Sequence, residues 1–271
     1  MNVKLGFDNA SAVVTGGTKG MGRAIAECLA EEGARVAVLG RGSAALDETA
    51  AALTALGAPD VLSIRCDVGE PDQVLAAFDS VAERWSGKLN ALINTVGPAT
   101  QGDIDALSEQ DWLAAFNLGT LAAVRCVRAA LPLLRAADWA RIVNISAHSV
   151  KRQSPRLIAY TASKAALTSV SKNLSRTLAS DGILVNTVSP GTFVTDSFVS
   201  VLKPILEKEG LDASDPHDVM KWVASTYHHP ADLGRAGVPG EIASIAVYLA
   251  SERNGYVTGA DINVDGGSDF V

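Results

Sequence analysis

The sequence predicts an α/β fold, with one parallel sheet of seven strands and helices on both faces. Short apolar runs, many of them β-branched, alternate with longer segments in which apolar residues recur at helical spacing. This alternation is typical of right-handed strand–helix–strand crossovers. Hydrophobic residues make up 48% of the chain and aromatic residues only 5%, so small aliphatic side chains must fill the core, as in buried parallel strands. The 271 residues fit one large α/β domain.

The predicted elements follow one another along the chain as strand and helix in turn. Strands are predicted over residues 13–14, 36–39, 61–64, 92–93, 142–145, 184–188 and 262–264. Helices are predicted over residues 23–32, 44–56, 72–85, 111–134, 154–180 and 239–250. Four of the helices are followed by a glycine, namely Gly33, Gly57, Gly87 and Gly182. Glycine is favoured there because the backbone turns left-handed just past a helix.

Residues 196–236 interrupt the alternation. Prolines at positions 204, 216 and 230 divide this segment into short helical pieces. It follows the sixth predicted strand at the carboxyl edge of the sheet, where open α/β sheets bind their ligands. We therefore expect an inserted lid over the substrate, within a single domain spanning residues 1–271. A contact between subunits is an alternative use of the same segment.

Composition and spacing argue against several classes of function. A formal net charge of −7 leaves no basic surface for a phosphate backbone, so nucleic-acid binding is not expected. An apolar leader and an apolar run of membrane-spanning length are both missing, which predicts a cytoplasmic protein without a membrane contact. The spacing of the cysteines and histidines matches no known ligand pattern, so neither a disulfide nor a metal site is expected. We expect the cysteine thiols to be buried and the histidine pair at positions 228–229 to lie on a solvated loop. The residues concerned are Cys28, Cys66, Cys126, His148, His217, His228 and His229.

A glycine-rich loop lies between the first predicted strand and the first predicted helix. It reads Thr15-Gly16-Gly17-Thr18-Lys19-Gly20-Met21-Gly22. Glycines let the backbone turn tightly and approach a ligand, and the free N–H groups of the following helix attract an anion. The loop therefore predicts a site for the pyrophosphate of a dinucleotide.

Tyr160 and Lys164 are four residues apart in a predicted helix, so their side chains share one face. A phenol with an ordinary pKa near 10 is a poor acid or base at neutral pH. An ammonium beside it stabilises the phenolate and is expected to lower that pKa. The pair could then transfer a proton to or from a substrate.

Several motifs occur in a fixed order along the chain: the glycine loop, Asp67-Val68, Asn94-Thr95-Val96-Gly97, Asn117, Tyr160 with Lys164, Pro190-Gly191 and Val264-Asp265-Gly266-Gly267. In this order the chain resembles the short-chain dehydrogenase/reductase family, in its common subgroup of about 250 residues. The likeness covers nearly the whole sequence. It implies a Rossmann-type doubly wound sheet and a nicotinamide coenzyme.

The resemblance also implies roles for individual residues. Tyr160 is the catalytic acid or base, Lys164 lowers its pKa and holds the nicotinamide ribose, and Asn117 positions a water in a proton relay. Asp67 and Val68 meet the adenine, Asn94 and Gly97 border the ribose, and residues 190–195 wrap the nicotinamide. The implied coenzyme-binding residues are Gly16, Thr18, Lys19, Gly20, Met21, Gly22, Arg41, Asp67, Val68, Asn94, Gly97, Tyr160, Lys164, Pro190, Gly191, Phe193 and Thr195.

The chain departs from the family pattern at Ala147, where relatives place a serine that holds the substrate oxygen. Ser146 and Ser149 are the available replacements. We favour Ser149, because side chains alternate along a strand and position 149 would then face the same way as position 147. Ser146 would only cap the strand, and His148 is a further possible donor. A smaller departure is Thr95-Val96, where relatives commonly have Asn-Ala.

The residues at the end of the second predicted strand, Gly40-Arg41, bear on the choice of coenzyme. A carboxylate at this place accepts from a ribose 2′-hydroxyl, whereas an arginine accommodates a 2′-phosphate. No acid stands here, and Lys19 supplies a second cation nearby. The sequence therefore predicts NADP(H).

Taken together, these residues predict an NADP(H)-dependent oxidoreductase of the ketoreductase or alcohol dehydrogenase type, acting on a small carbonyl or alcohol substrate. Two alternatives stay open: a catalytically idle NADP(H)-sensing protein and an NAD-linked alcohol dehydrogenase. The apolar helices over residues 121–134 and 157–178 are compatible with a homo-oligomer, a tetramer or a dimer, as in the family.

Overall fold

The computed structural model describes residues 5–228 and 230–268. Seven parallel strands form one sheet in the order β3-β2-β1-β4-β5-β6-β7. The strands are β1 Ser11–Thr15, β2 Arg35–Gly40, β3 Val61–Arg65, β4 Ala91–Asn94, β5 Ala140–Ile145, β6 Ile183–Pro190 and β7 Asp261–Val264. Every predicted strand is present, so the Rossmann-type fold is confirmed.

Helices connect the strands and cover both faces of the sheet. The α-helices of the described chain are α1 Gly20–Glu31, α2 Ser43–Ala55, α3 Pro71–Arg84, α4 Glu109–Phe116, α5 Ala122–Ala136, α6 Ile158–Thr177, α7 Asp196–Leu206, α8 Pro216–Tyr227 and α9 Pro239–Ala250. The predicted helix over residues 111–134 is divided by a π-helical segment, Asn117–Leu121. The glycines predicted after four helices have φ between +72° and +101°, as expected.

Two hydrophobic cores lie on opposite faces of the sheet, because successive side chains of a strand point to opposite sides. The adjacent, fully buried residues Val13 and Val14 illustrate this. Val14 packs into a core with α1 and α9, and Val13 into a core with α3 and α5. The sheet is therefore buried on both faces, as the continuous apolar strands predict.

The strand order reverses direction at β1. From β1 the chain builds outward through β2 and β3, and it then crosses back to place β4 on the other side of β1. A crevice opens at such a switch point, at the carboxyl ends of the two strands, because the connections on either side leave in opposite directions. Thr15 and Asn94, at the ends of β1 and β4, pair across this point.

The segment between β6 and α9 contains helices α7 and α8. Their apolar side chains form a third, smaller core around Leu202, Leu206, Val219 and Trp222. The helix α8 starts with Pro216 after the cap Asp215, whose carboxylate accepts from two main-chain N–H groups. This segment thus has packing of its own at the carboxyl edge of the sheet.

Two of the described histidines, His217 and His228, and the cysteines take ordinary structural places. His217 Nδ1 lies 3.2 Å from the carbonyl oxygen of Gly234, and the exposed His228 ends α8 with φ +56°. The predicted partner of His228 in a solvated pair, position 229, lies outside the described residues. Burial raises the pKa of the cysteine thiols to about 11 or 12, so they are apolar side chains and not reactive thiolates. The three are Cys28, Cys66 and Cys126.

The continuous helical stretch from Glu109 to Ala136 is long and apolar enough to cross a membrane by length and composition alone. The stretch has 28 residues; its most apolar 18-residue window has a mean hydropathy of 1.2, and 44% of that window is buried inside the protein. Cys126, Val127 and Leu134 from this stretch belong to the core on the α3 face. It therefore packs as a core helix of this fold.

Candidate active site

The glycine loop forms a tight cradle after β1. Gly16 and Gly20 have φ of +67° and +49°, a conformation that favours glycine. A Cβ on Gly22 would overlap the carbonyl oxygen of Gly16 and lie 2.7 Å from Thr95 Oγ1. Since α1 begins at Gly20 with Lys19 as its cap, the first N–H groups of the helix face this cradle. The loop fits a pyrophosphate group.

Thr95 closes the cradle from the β4 side, a role that sequence reasoning missed. Its hydroxyl donates to the carbonyl oxygen of Thr15, and its main-chain N–H bonds to Thr15 Oγ1 at 3.2 Å. The hydroxyl also fills the space beside Gly16 and Gly22. This threonine therefore ties β4 to β1 at the switch point.

Arg41 and Asp67 come together at the other end of the crevice, at the ends of β2 and β3. Arg41 Nη1 lies 3.8 Å from Asp67 Oδ2, and the arginine side chain is 78% exposed. Asp67 Oδ1 accepts from the N–H of Gly69 at 2.9 Å. A Cβ on Gly40 would lie 2.9 Å from Thr18 Cγ2, so Thr18 leaves little room for a larger side chain at the end of β2.

The remaining residues predicted at this end of the crevice differ in exposure. Val68 is buried, Met21 packs against the core beneath the loop, and Lys19 is exposed. Arg41 and Lys19 therefore both present their charges to solvent at the adenosine end, where a phosphate group could reach them.

Asn94 and Gly97 lie where the ribose is expected. Asn94 Nδ2 donates to Asn144 Oδ1 at 2.8 Å, and Asn144 Nδ2 donates to Ser171 Oγ at 2.8 Å. The buried Oδ1 of Asn94 has no hydrogen-bond partner among the described residues. A buried acceptor of this kind needs a hydrogen-bond donor, and a ribose hydroxyl is such a donor. A Cβ on Gly97 would lie 3.0 Å from Lys164 Nζ, so glycine admits the lysine side chain.

Tyr160 lies in the first turn of α6 and Lys164 in the second, on the same side of the helix. Lys164 is 2% exposed, and its Nζ donates to the carbonyl oxygens of Ile145, at 2.7 Å, and Val96, at 3.4 Å. Tyr160 is partly buried. These contacts fix the ammonium between the ends of β4 and β5.

The expected lowering of the Tyr160 pKa is wrong for the protein by itself. Burial raises the pKa of Tyr160 to about 12 and lowers the pKa of Lys164 to about 8. In both residues burial removes hydration from the charged form and so disfavours it. The phenol is therefore protonated at neutral pH, and it can release its proton only to an atom that is a stronger base than a phenolate.

Asn117 lies where the regular helix changes into the π-helical segment. Its carbonyl oxygen accepts from the N–H of Ala122, five residues ahead, and its Nδ2 lies 3.5 Å from the carbonyl oxygen of Gly69. Single π-helical turns within α-helices occur frequently at functional sites. The sequence did not indicate this turn, because its apolar spacing continues through the segment.

The hydroxyl of Ser146 forms hydrogen bonds with groups of α6. Its hydroxyl donates to the carbonyl oxygen of Lys164 at 3.1 Å and lies 2.9 Å from Thr168 Oγ1. The residue is 1% exposed. It therefore anchors the end of β5 to the helix that carries Tyr160, which goes beyond the strand cap that was expected.

Ser149 lies in a 3₁₀ turn, His148–Val150, and not in a strand. The reasoning from strand alternation is therefore wrong, since β5 ends at Ile145. Ser149 is 3% exposed, and its Oγ accepts from Thr161 Oγ1 at 3.2 Å. Its neighbour His148 lies with Nδ1 3.1 Å from the carbonyl oxygen of Pro190.

Residues 190–195 run from the last residue of β6 toward the crevice. The N–H of Gly191 donates to the carbonyl oxygen of Val264, and a Cβ at Gly191 would lie 2.8 Å from Asp265 Cα. Glycine is required here because β6 and the end of β7 approach closely.

Phe193 and Thr195 continue this path toward the glycine loop. Phe193 is buried against Gly237, where an added Cβ would lie 2.6 Å from the ring. Thr195 caps α7 by accepting from the N–H of Phe198, and its Cβ lies 3.3 Å from the position of a Cβ on Gly20. The start of α7 therefore packs against the cradle.

The predicted residues thus gather around one crevice at the carboxyl edge of the sheet. The cradle, the buried acceptor on Asn94 and the anchored ammonium of Lys164 match the pyrophosphate and ribose of a dinucleotide. Tyr160 lies on the same side of α6 as Lys164. The fold and site define a nicotinamide-dinucleotide oxidoreductase.

Comparison with known proteins narrows this class. A family model described as enoyl-(acyl carrier protein) reductase matches residues 16–269. A 3-oxoacyl-(acyl-carrier-protein) reductase, FabG, from Chlamydia trachomatis is 33% identical, over 96% of this chain and 97% of its own length. Dehydrogenase/reductase SDR family member 4 from Caenorhabditis elegans is 31% identical, over 96% and 95%. The chain belongs to the short-chain dehydrogenase/reductase family of oxidoreductases.

Two solved structures are similar over almost the whole chain. L-Sorbose reductase from Gluconobacter frateurii, in complex with NADPH and L-sorbose, is 31% identical with a TM-score of 0.91, covering 98% of each chain. RhlG from Pseudomonas aeruginosa, in complex with NADP, is 30% identical with a TM-score of 0.85, covering 99% of each chain.

Proposed function

We propose that this protein is an NADP(H)-dependent ketoreductase that reduces the carbonyl group of a small molecule to an alcohol. The observation that carries the proposal is the placement of Tyr160 beside the buried, anchored Lys164 at the coenzyme crevice. When bound, NADPH supplies the hydride for the carbonyl carbon. The relatives that were solved with NADPH or NADP support this choice of coenzyme.

Tyr160 acts as the proton donor in reduction. Because burial raises its pKa to about 12, the phenol is protonated at neutral pH. The oxygen that develops negative charge during reduction is an alkoxide, a stronger base than a phenolate, so the proton moves to it. Lys164 holds the ribose, and Asn117 positions a water that returns a proton to the site.

The 2′-phosphate of the coenzyme is bound by Arg41 and Lys19. Neither Gly40 nor the arginine that follows it provides a carboxylate to accept from a 2′-hydroxyl, and Thr18 packs into the space beside Gly40. Asp67 and Val68 contact the adenine. These contacts favour NADPH over NADH, which in turn favours reduction of the substrate.

The substrate oxygen accepts a hydrogen bond from the hydroxyl of Ser149. Ser149 thus replaces the serine that relatives have at the position of Ala147. Helices α7 and α8 form a lid over the substrate. Leu113 and Leu121, 56% and 46% exposed on the α4 side of the molecule, support assembly into a homo-oligomer, a tetramer or a dimer. We place the protein in the cytoplasm.

The test is a steady-state assay of purified protein with a panel of 3-oxoacyl thioesters, ketoses including L-sorbose, and simple ketones, following the absorbance of the reduced coenzyme. We expect turnover of at least one carbonyl with a higher kcat/KM for NADPH than for NADH. NADPH binding without any turnover would favour an idle sensor, and a preference for NADH with alcohol oxidation would favour an NAD-linked dehydrogenase. The mass in solution tests the oligomer.

A further inference from the structure

On the basis of the reductase function above, we propose that Thr161 is a positioning residue that holds the Ser149 hydroxyl for the substrate oxygen. The juxtaposition is direct: Thr161 Oγ1 donates to Ser149 Oγ at 3.2 Å. Both side chains are buried, 8% and 3% exposed. Thr161 follows Tyr160 in the sequence, so the pair adjoins the proton donor.

The chain after β5 runs along α6 toward its amino end. Ser146 lies level with Lys164 and Thr168, and three residues later Ser149 lies level with Thr161. An α-helix rises 1.5 Å per residue, so Thr161 lies about 4.5 Å nearer the amino end of α6 than Lys164 and about 10.5 Å nearer than Thr168. Ser149 therefore lies beside the turn that holds Tyr160, whereas Ser146 lies one to two turns further toward the carboxyl end.

The direction of the hydrogen bond leaves Ser149 able to donate. Its oxygen accepts from Thr161, and its own hydrogen has no acceptor within residues 5–228 and 230–268. A hydroxyl that accepts one hydrogen bond becomes a better donor for the next, more so away from water. A substrate carbonyl oxygen is an acceptor of the kind this hydrogen lacks. Ser146 differs, because its hydrogen already serves the carbonyl oxygen of Lys164.

Thr161 also differs from three other threonines that lie in α-helices of this protein. Thr49, Thr54 and Thr168 each donate to the carbonyl oxygen four residues earlier, at 2.6, 2.9 and 3.2 Å. This local bond is the usual choice for a threonine within a helix. Thr161 instead donates across to another element, and its β-branched side chain has few rotamers, so it fixes Ser149 firmly.

The experiment compares Thr161→Val, which keeps the side-chain shape, with Thr161→Ser, which keeps the hydroxyl. The assay is NADPH-dependent reduction of the best substrate of the panel. We expect Thr161→Val to lower kcat about threefold to tenfold, the effect of one hydrogen bond, with the KM for NADPH unchanged. Thr161→Ser should restore most of kcat. Thr49→Val is the matched control, a buried helical threonine on α2, and should leave kcat unchanged.

A double-mutant cycle separates positioning from a merely structural role. Ser149→Ala should lower kcat about 100-fold, as expected on losing a polarising donor, and Thr161→Val should then have no further effect. An equal effect of Thr161→Val with and without Ser149 would overturn the proposal, as would an unchanged kcat or a failed rescue by serine. Thr161→Ala replaces the valine variant if circular dichroism shows that the latter is unfolded. A wild type that reduces no carbonyl overturns both proposals, whereas an active wild type insensitive to Ser149→Ala overturns this one alone.

Discussion

Substitution of Gly22 by alanine should disrupt coenzyme binding through the shape of the cradle. The added Cβ would overlap the carbonyl oxygen of Gly16, lie 3.0 Å from its carbonyl carbon and lie 2.7 Å from Thr95 Oγ1. The overlapping atoms of Gly16 belong to its backbone carbonyl group, so they cannot move aside as the end of a flexible side chain can. The turn must therefore open, and the N–H groups at the start of α1 move away from the pyrophosphate.

The size of the effect follows from the cost of overpacking. An extra carbon in a closely packed place costs about 1–3 kcal/mol. If binding of the coenzyme requires the closed cradle, this cost appears in the dissociation constant, which should rise about 5-fold to 150-fold. The free energy of unfolding of the protein without coenzyme should fall by less, because an opened loop relieves the clash.

The measurement is a titration of NADPH followed by protein fluorescence, together with thermal unfolding. Gly240→Ala is the matched control, since no atom lies within 4 Å of a Cβ built at this exposed glycine at the start of α9. This control should leave the Kd unchanged and Tm unchanged or slightly higher. A folded Gly22→Ala variant that binds NADPH as tightly as wild type would refute the reasoning.

Three further outcomes are expected. Arg41→Ala should raise the KM for NADPH about tenfold and leave that for NADH unchanged, because only NADPH carries the phosphate that the charge binds. Tyr160→Phe should lower kcat by about 10²-fold to 10⁴-fold in the steady-state assay while NADPH still binds, because only the proton donor is lost. The pKa of Lys164 is lowered from 10.5 to about 8, so between these values the unfolded chain binds more protons and the free energy of unfolding should rise with pH. Lys164→Met should remove this rise, about 3 kcal/mol, in urea unfolding at pH 8 and pH 10.5.

Each of these has a contradicting result. Equal losses with NADPH and NADH for the Arg41 variant would place the arginine away from the phosphate. Full activity of Tyr160→Phe would exclude the phenol as proton donor. If the free energies of unfolding of wild type and Lys164→Met differ by the same amount at both pH values, the lysine is better hydrated than its 2% exposure indicates. Above pH 10 the raised pKa of Tyr160 adds an opposite trend, a loss of stability as the unfolded phenol ionises.

The fold could be predicted because local pattern and tertiary structure agree. Apolar runs such as Val13-Val14 are buried on both faces of the sheet. The glycines that follow the helices have the positive φ expected of a left-handed turn at the end of a helix. The crevice follows from strand order, which places the ends of β1 and β4 side by side.

What the sequence could not predict depends on contacts between distant segments. Thr95 reads as an ordinary loop residue, yet it fills the space that Gly16 and Gly22 leave open. Ser149 reads as the continuation of a strand, but the chain turns as soon as β5 ends. The pKa of Tyr160 was expected to fall because charge attraction can be inferred from spacing, whereas the loss of hydration is set by tertiary packing.

The separate packing of α7 and α8 bears on how such a protein can change over evolution. Because Leu206, Val219 and Trp222 bury their apolar surface mainly among neighbours within that segment, substitutions there should leave the packing of the sheet unchanged. Under the proposed function, in which this segment covers the substrate, such substitutions would change the choice of substrate and leave the coenzyme crevice unaltered. Thr195 connects this segment with the glycine loop, since it caps the start of α7 and also packs beside Gly20.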